Sequence, residues 1–326
     1  MTDRTPAALD KAAREMLIGA AILAPSMHNT QPWRFRFRGH TIEVHRDPRY
    51  ELPAEDPDRR MALISIGAVV LNLRVAAAKL GYETNVTLHD RTDRTLVAEV
   101  WLGALAPGSQ PELSDLYPLL PSRRTNRAPY ADRDIPGPLR AAISKAANVE
   151  GATLEWVTEP ARRDWLLRLT GEANMSDDLD PLRLAERHHW VGGERDQDGV
   201  PSASLGPRPR RRSAPVRDLA VDRRDRARPA GQFEPQPVLA VLATRRDSPR
   251  DWLVAGQAMQ HVLLVATREG IAVSLLTQAI EHSELRWLVR DPLGGWSEPQ
   301  VVMRLGYGPE VPPTPRRPIG EFIEPD

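Results

Sequence analysis

Side chains that could contact a ligand are concentrated in one short segment near the start of the chain. Hydroxyl, imidazole and amide groups lie there between two prolines; the residues are Pro25, Ser26, His28, Asn29, Gln31 and Pro32. Proline restricts its own backbone and that of the preceding residue, so we expect a segment that is stiff at both ends. Local chemistry leaves two interpretations open: a polar turn before a core tryptophan, Trp33, or a ligand-binding loop.

Hydrophobic spacing predicts the elements on either side of this loop. Apolar residues recur at helical spacing between Leu9 and Leu23, which indicates a helix with one buried face. Arginine and phenylalanine alternate over residues 34–38, which indicates a strand. The apolar stretch before the loop is too short to cross a bilayer and follows acidic residues instead of a basic segment. We therefore expect a soluble, cytoplasmic protein without a membrane partner.

Composition excludes several classes of protein. The 326 residues carry 44 basic and 44 acidic side chains, so the overall charge does not favour a nucleic-acid partner. Cysteine is absent, which excludes disulfides, thiolate catalysis and zinc–thiolate sites. The histidines lack metal-binding spacing, and we predict no metal site. Glycine-rich motifs for dinucleotides or triphosphates are missing, as is a hydrolase nucleophile elbow.

A second group of candidate site residues is a cluster of arginines in the middle of the chain. Arg123, Arg124 and Arg127 would repel one another unless an anion gathers them. A terminal phosphate fits this role, because guanidinium groups bind phosphate through paired hydrogen bonds. The alternative is a solvated turn in which the arginines pair with Asp132 and Asp134.

Two segments of the chain have similar patterns. Residues 64–81 and 254–270 each predict an apolar helix with glycine near its start and at its end, followed by a strand-like run. Further strands are predicted at residues 153–157, 237–244 and 300–305. Buried helices of this kind are expected between the halves of an internally fused dimer, and strands interleaved with long helices indicate an α+β or three-layer architecture.

Taken together, these segments resemble the FMN-dependent nitroreductase superfamily, and they look most like its Acg-type actinobacterial branch. The resemblance is carried by APSMHNTQPW at residues 24–33 and by residues 56–60, 64–68, 71–74, 122–127, 305–307 and 315–318. It implies a nitroreductase-like three-layer α+β fold in which two fused halves, residues 1–106 and 107–326, mimic the nitroreductase homodimer. Such a chain would hold one complete flavin site, and could be a monomer or a homodimer.

The resemblance implies FMN as the cofactor and assigns its contacts. These are Pro25, Ser26, Met27, Asn29, Gln31, Arg123, Thr125, Arg127, Leu275, Thr277, Gln278, Arg316 and Arg317. Residues 123–127 match the family pattern Arg-x-Ser-x-Lys, and residues 274–278 would pass along the isoalloxazine ring. Four positions depart from the family pattern: Thr125 replaces a serine and Arg127 a lysine, which preserves hydroxyl and charge, whereas Thr314 replaces a lysine and Gln278 a glycine. No catalytic side chain is implied, because the flavin carries the redox chemistry.

Residues 192–233, here called the lid segment, are rich in Gly, Pro, Ser and Arg and have little periodicity. Composition favours a solvated, mobile loop. The resemblance implies instead an insertion that covers the flavin. Nucleic-acid binding through the basic run at residues 208–212 is disfavoured, because aromatic residues are nearly absent and acidic residues are interspersed.

Two functions follow from the resemblance. The first is an oxidoreductase that takes hydride from NAD(P)H onto flavin N5 and reduces a nitroaromatic, a quinone or a similar flat small-molecule acceptor. The second is a flavin-sequestering storage protein of the Acg type, in which the lid segment blocks nitroreductase activity. The resemblance leaves both open.

Overall fold

Two four-stranded antiparallel sheets form the framework of the protein. The computed structural model describes residues 9–106, 108–210, 216–220, 225, 227–290 and 297–324. Its strands are β1 (Trp33–Arg38), β2 (Thr41–Arg46), β3 (Tyr82–Leu88), β4 (Leu96–Leu105), β5 (Thr153–Trp156), β6 (Arg208–Pro209), β7 (Ala230–Gly231), β8 (Val238–Thr244), β9 (Ala272–Leu275) and β10 (Glu298–Gly306). The first sheet has the order β1-β2-β4-β3 and the second β5-β8-β10-β9, while β6 and β7 form a short parallel pair.

Helices connect and cover these strands. They are α1 (Lys11–Ala21), α2 (Arg60–Leu80), α3 (Pro111–Ser114), α4 (Gly137–Val149), α5 (Pro160–Leu179), α6 (Pro181–Trp190), α7 (Pro249–Arg268), α8 (Gln278–Glu281) and α9 (Ser283–Arg286). The Asp10 side chain caps α1 by accepting a hydrogen bond from the backbone N–H of Ala13 at 2.7 Å. Gly81 ends α2 and Gly270 follows α7, both with positive φ, so the predicted helix stops are confirmed.

The two sheets repeat one topology. The order β1, β2, α2, β3, β4 in the first half corresponds to β5, β8, α7, β9, β10 in the second, and the last strand of each set lies between the two before it. In each half a shorter helix, α1 or α4, packs on the long one. The predicted repeat and its strands are therefore confirmed as a fold of two fused halves. The predicted boundary falls between β4 and α3, and Pro107 lies outside the described residues.

The long helices α2 and α7 lie between the two sheets and cross at a pair of glycines. A Cβ atom built on Gly67 would lie 2.8 Å from the Cα atom of Gly256 and would overlap the carbonyl oxygen of Leu253. A Cβ atom on Gly256 would in turn lie 2.7 Å from the Cα atom of Gly67 and would overlap the carbonyl oxygen of Ile64. The contact is reciprocal, as expected for two halves related by a twofold axis. Sheet, helix pair and sheet form the predicted three layers.

Helix α2 is long enough and apolar enough to cross a membrane, judged by length and composition alone. In the structure it is buried inside the protein. Of its most apolar 18-residue window, 94% is buried in the fold. The carboxylate of Asp56 caps this helix, accepting hydrogen bonds from the backbone N–H groups of Met61 and Ala62 at 3.0 and 2.8 Å. The helix is therefore the core helix of the first half.

The halves differ in what is inserted between their first two strands. A two-residue turn joins β1 to β2, whereas α5, α6 and the lid segment lie between β5 and β8. Apolar residues of α5 cover the outer face of the second sheet, so β8 and β10 are buried on both faces. The outer face of the first sheet stays open, and Trp101 on β4 is 48% exposed.

The last described residues cross from the second half back to the first sheet. The backbone N–H of Phe35 donates to the carbonyl of Phe322 at 2.7 Å, and Glu324 N–H donates to the Phe35 carbonyl at 2.8 Å. The ring of Phe322 also stacks on Trp33, with 6.5 Å between ring centroids. This crossing brings residues 315–317 to the end of α1, beside the Pro25–Pro32 loop. Trp33 is fully buried and is a core residue, as one of the two interpretations predicted.

The helix crossing generates a stability prediction. Replacing Gly67 with Ala should lower the free energy of unfolding by about 1–3 kcal/mol, because the new methyl group overlaps backbone atoms that cannot move independently. The matched control is Gly19→Ala in α1, where a Cβ atom would meet only the Ile319 side chain at 3.5 Å. That control should be neutral or slightly stabilising. Urea denaturation measures both, and equal stabilities for the two variants would contradict the close crossing.

Candidate functional site

Two adjoining cavities open beside the helix pair. Both have Pro25, Ser26, Thr125 and Arg127 in their walls. Their volumes, including space open to solvent, are about 900 and 630 Å³. The first cavity is basic, and helices α2 and α7 both contribute to the wall of the second. A ligand longer than either cavity can therefore extend through both.

The loop between α1 and β1 holds a backbone that is unusual for its residue types. His28, Asn29 and Gln31 have φ values of 47°, 57° and 55°, in the left-handed region that favours glycine. Such conformations persist only where the surroundings enforce them, and they cluster at functional sites. The Ser26 hydroxyl accepts a hydrogen bond from Gln31 N–H at 3.0 Å and closes the loop. The loop is thus held in one shape with its polar side chains at the cavities.

Arg123 supplies donors to the first cavity that no described residue satisfies. Its side chain is 5% exposed, and its Nε and Nη1 atoms are buried without a partner in the described part of the chain. Only Nη2 donates, to the Leu23 carbonyl at 3.4 Å. Burial, together with the charges of Arg316 and Arg124, lowers the pKa of Arg123 to about 9. Two free donors on a destabilised buried cation are the chemistry of an anion site.

The other arginines of this cavity also lack a carboxylate partner among the described residues. Arg316 is held by oxygen atoms at the end of α1, donating to the carbonyl groups of Ile22, Leu23 and Ala24 at 2.7–3.3 Å, where a helix C-terminus favours a cation. Arg127 donates only to the Ser204 carbonyl, at 3.2 Å. Burial lowers the pKa of each guanidinium to about 10. The cavity therefore carries a surplus of positive charge.

The surface of the second cavity is mainly apolar. Met61 and Ile64 of α2, Met259 of α7 and Leu275 of β9 form much of its wall, so both halves contribute. Half of its lining residues are polar: Ser26, His28, Ser65, Thr125, Thr277, Arg127 and Arg217. A flat aromatic ligand suits such walls, because apolar side chains provide area and polar groups fix its orientation.

The described part of the lid segment covers both cavities. Ser204 and Gly206 line the first cavity, and Arg217 and Leu219 line the second. The Asn29 side chain donates to the carbonyl of Gly199 in the lid segment at 3.0 Å. Some residues of the described part of this segment therefore lie in the cavity walls, while many others are exposed to solvent, and both the solvated loop and the lid stay predictions. Residues 211–215, 221–224 and 226, with part of the basic run, lie outside the described residues.

A buried network of charges anchors the lid segment. Arg217 donates to Glu281 at 3.1 Å, to Glu55 at 3.2 Å and to Asp177 at 3.1 Å, which joins the lid segment to α8, to the loop before α2 and to α5. Arg187 of α6 contacts Glu55 and Asp177 as well. Burial alone would lower the pKa of Arg217, but the three carboxylates outweigh it and raise that pKa above its usual value. In contrast to the first cavity, every charge named here is compensated.

The structure brings most of the predicted site residues together. Those lining one or both cavities are Pro25, Ser26, Met27, Asn29, Arg123, Thr125, Arg127, Leu275, Thr277 and Arg316. The alternative pairing of the central arginines with Asp132 and Asp134 does not occur in the described residues, where Asp134 pairs with Arg140.

Three predicted residues do not line either cavity. Gln31 is fully buried, and its amide donates to the carbonyl groups of Asn29 and Gln197. Arg317 donates to the Gln31 carbonyl at 2.6 Å and stacks on Tyr50. Gln278 is fully buried and donates to Asn174 at 3.2 Å. These side chains contact other protein groups and do not line the cavities. Their positions therefore do not support direct contacts with the cofactor.

Sequence reasoning missed several residues of the site. Arg217 lies in an arginine-rich segment where nothing local distinguishes a buried guanidinium from solvated ones. Glu55, which contacts Arg217, His28 and Arg187, is one acidic residue among several in its loop. The wall residues Ile64 and Met259 were predicted only as parts of apolar helices, and the three-dimensional packing places them at a cavity. No group of residues able to hold a metal ion occurs in the described part of the chain.

Known proteins resemble this chain along most of its length. No family model matches. A Mycobacterium tuberculosis protein named as a candidate NAD(P)H nitroreductase, Rv3131, is 31% identical over 312 residues, covering 93% of this chain and 89% of that protein. A second candidate NAD(P)H nitroreductase from that organism, acg, is 29% identical over 315 residues, covering 93% and 92%.

A solved structure is also similar. It is the FMN-dependent nitroreductase NfnB from Mycobacterium smegmatis in complex with NADPH, which matches with a TM-score of 0.40 and 18% identity over 66% of this chain and 99% of that chain. Because this similarity is weak, the assignment to a family rests on the sequence relatives.

The surplus positive charge generates a binding prediction. Inorganic phosphate should raise the free energy of unfolding of the cofactor-free protein, by about 2.7 kcal/mol at a concentration 100 times its dissociation constant. Arg123→Gln should lose most of this effect, because the free donors and the buried charge are removed. The matched control is Arg91→Gln, an exposed arginine that pairs with Asp93. Thermal unfolding at constant ionic strength measures the effect, and an equal phosphate response in both variants would refute the anion site.

Proposed function

Because this chain belongs to the nitroreductase superfamily and to its Acg-type branch, we propose that it binds FMN across the two cavities and passes electrons from NAD(P)H to a flat small-molecule acceptor. The acceptor class that suits the second cavity is a nitroaromatic or a quinone. One FMN per chain is proposed, since the arginine-lined cavity is built from one set of segments. A cytoplasmic location, and a monomer or a homodimer, are proposed with it.

The observation that carries this proposal is the pair of unsatisfied donors on buried Arg123. A buried guanidinium without a counter-ion is destabilising, and a phosphate monoester supplies the missing charge and the missing acceptors. The basic cavity then continues into the apolar one through Pro25, Ser26, Thr125 and Arg127. A phosphate joined to a flat ring by a flexible chain has the same distribution of charge and apolar surface.

The residues present fit FMN in both parts. Arg123, Arg127 and Arg316 would hold the phosphate, and Ser26 and Thr125 lie where a polyhydroxyl chain would pass. The walls formed by α2, α7 and β9 would contact the ring from both halves of the chain. When bound, FMN supplies hydride chemistry that no side chain here provides.

The protein's own contribution is position and exclusion of water. The strained loop at residues 28–31 holds Ser26 and Asn29 in place, and the hydrogen bonds of Arg316 fix that loop to the end of α1. The lid segment covers both cavities through its contacts with Asn29 and Arg127. A covered site strengthens electrostatic interactions and limits side reactions of a reduced ring.

A second candidate function, flavin storage, is favoured by one observation. The described part of the lid segment is packed over both cavities and tied to three elements through Arg217. If that cover persists in solution, a nicotinamide ring cannot reach the flavin, and the cofactor is sequestered. The two functions share one site and differ only in whether the lid segment opens during turnover.

The phosphate assignment predicts selectivity between two flavins. Arg123→Gln should weaken FMN binding about 10- to 100-fold, the loss expected for a hydrogen bond to a charged group. Its affinity for riboflavin, which has no phosphate, should not change. Quenching of flavin fluorescence measures both constants. An equal loss for the two flavins would show that Arg123 acts through the fold, and absence of FMN binding by the native protein would overturn the proposed function.

The choice between turnover and storage generates the next prediction. As a reductase, the FMN-loaded protein should lose its oxidised flavin absorbance when titrated anaerobically with NADPH or NADH. As a storage protein it should resist both nucleotides, and Arg217→Gln should then accelerate bleaching about tenfold or more, equivalent to at least about 1.4 kcal/mol of lid stabilisation. The control is Arg195→Gln, an arginine that bonds within the lid segment and to His189. Flavin that resists nucleotides in all three proteins would exclude the proposed reductase.

A further inference from the structure

His28 occupies a position that the binding of a flavin does not require. It lines the second cavity, beside Met27 and Ser65, yet is only 6% exposed. Its backbone is left-handed at φ 47°, a conformation that costs free energy for a residue other than glycine. Its ring Nε2 atom contacts the carboxylate of Glu55. A buried imidazole on a strained backbone therefore lies at the place where a ligand would bind.

Glu55 is fixed as the partner of this ring. It is 1% exposed and contacts Arg187 of α6 and Arg217 of the lid segment as well as His28. Burial alone would raise the pKa of Glu55, but the charges of His28, Arg217 and Arg187 outweigh burial and hold that pKa far below its usual range. The carboxylate is therefore ionised and accepts a hydrogen bond from Nε2. Nδ1 is the ring nitrogen that remains for a ligand in the cavity.

We propose that His28 is the catalytic acid of this site: its Nδ1–H donates a proton to the reduced acceptor, and Glu55 is the positioning residue that holds the ring. The proposal rests on the proposed function and goes beyond it, since reduction by hydride alone leaves an anion that must be protonated. A carboxylate behind one ring nitrogen and a substrate before the other is the arrangement of a general acid.

The step is balanced for a quinone. A bound reduced flavin would supply two electrons and one proton as hydride and would itself be oxidised. His28 in its imidazolium form gives a second proton to the other quinone oxygen, and the product is the hydroquinone. The N–H bond of His28 breaks, and the neutral ring recovers a proton from water after the product leaves.

The surroundings favour a protein group as the proton source. The lid segment covers the second cavity through Arg217 and Leu219, which limits access of water. The other charged groups that face this cavity, Arg127 and Arg217, are guanidinium groups, which do not release protons at neutral pH. Among the described residues of the cavity wall, His28 is therefore the group best able to donate.

The test separates proton delivery from electron transfer. The variant is His28→Asn, because asparagine tolerates the left-handed backbone but carries no ionisable ring. FMN-loaded protein is reduced anaerobically with dithionite and mixed either with menadione, which needs protons, or with ferricyanide, which takes electrons only. We expect menadione reduction to slow about a hundredfold, the typical contribution of a general acid. At saturating FMN, ferricyanide reduction should slow far less than menadione reduction, because it needs no proton.

The matched control is His261→Gln, which alters another histidine–glutamate pair. His261 Nδ1 lies 3.0 Å from Glu150, outside the walls of both cavities. This variant should reduce both acceptors at the native rate. Equal menadione rates for the native protein and His28→Asn would overturn this proposal. The proposed function would still stand if the native protein binds FMN. Parallel losses with both acceptors would also overturn it, because His28 would then act on the cofactor or the fold.

A readout without cofactor or turnover completes the test. In the ¹⁵N-labelled, cofactor-free protein at neutral pH, the His28 ring should give the chemical shifts of an imidazolium. Glu55→Gln should change these shifts, because the ring loses the carboxylate that Nε2 contacts. A neutral ring in the native protein would remove the proton that the proposal requires.

Discussion

The close crossing of α2 and α7 is the constraint on which the rest of the structure depends. Backbone contact at Gly67 and Gly256 brings the two helices together more closely than side chains would permit. The sheets are thereby fixed on opposite sides of one helix pair. The apolar cavity lies beside this pair, with Ile64 of α2 and Met259 of α7 in its wall. A wider separation of the helices would separate the walls that a planar ligand must contact.

Two buried groups of charges lie near each other, and they differ in whether the arginine charge is compensated by carboxylates. Around Arg217, three carboxylates satisfy the guanidinium, so the charges stabilise a closed arrangement of protein segments. Around Arg123, the described residues include no carboxylate partner, and the guanidinium charge is uncompensated there. Breaking a buried ion pair is costly, whereas an uncompensated charge lowers its own free energy by binding an anion. The same residue type therefore closes one cavity and recruits a ligand to the other.

The sequence predicted the elements whose spacing repeats, and it failed where partners are distant. The helices and strands around Gly67 and Gly256 follow from apolar periodicity and glycine stops, and the role of Arg123 follows from crowded like charges. Helices α5 and α6 were not predicted, because α5 buries polar side chains such as Asp177 whose partners come from other segments. Arg217 was missed for the same reason. A local sequence pattern shows which residues of a helix or strand are buried. A charge network joins residues that are distant in sequence, so only the completed fold reveals it.

The return of the C-terminal segment to the first sheet has a consequence for biosynthesis. Arg316 contacts the end of α1, and the residues that follow it pair with the edge of β1, nearly three hundred positions earlier in the chain. Until this segment has been synthesised, the basic cavity lacks one wall. Contacts of such long sequence separation form late, because closing a large loop costs entropy before the contact is made. The site should therefore become able to capture its ligand only when synthesis has reached this segment, so a stalled or clipped chain would lack the wall of the basic cavity that Arg316 supplies.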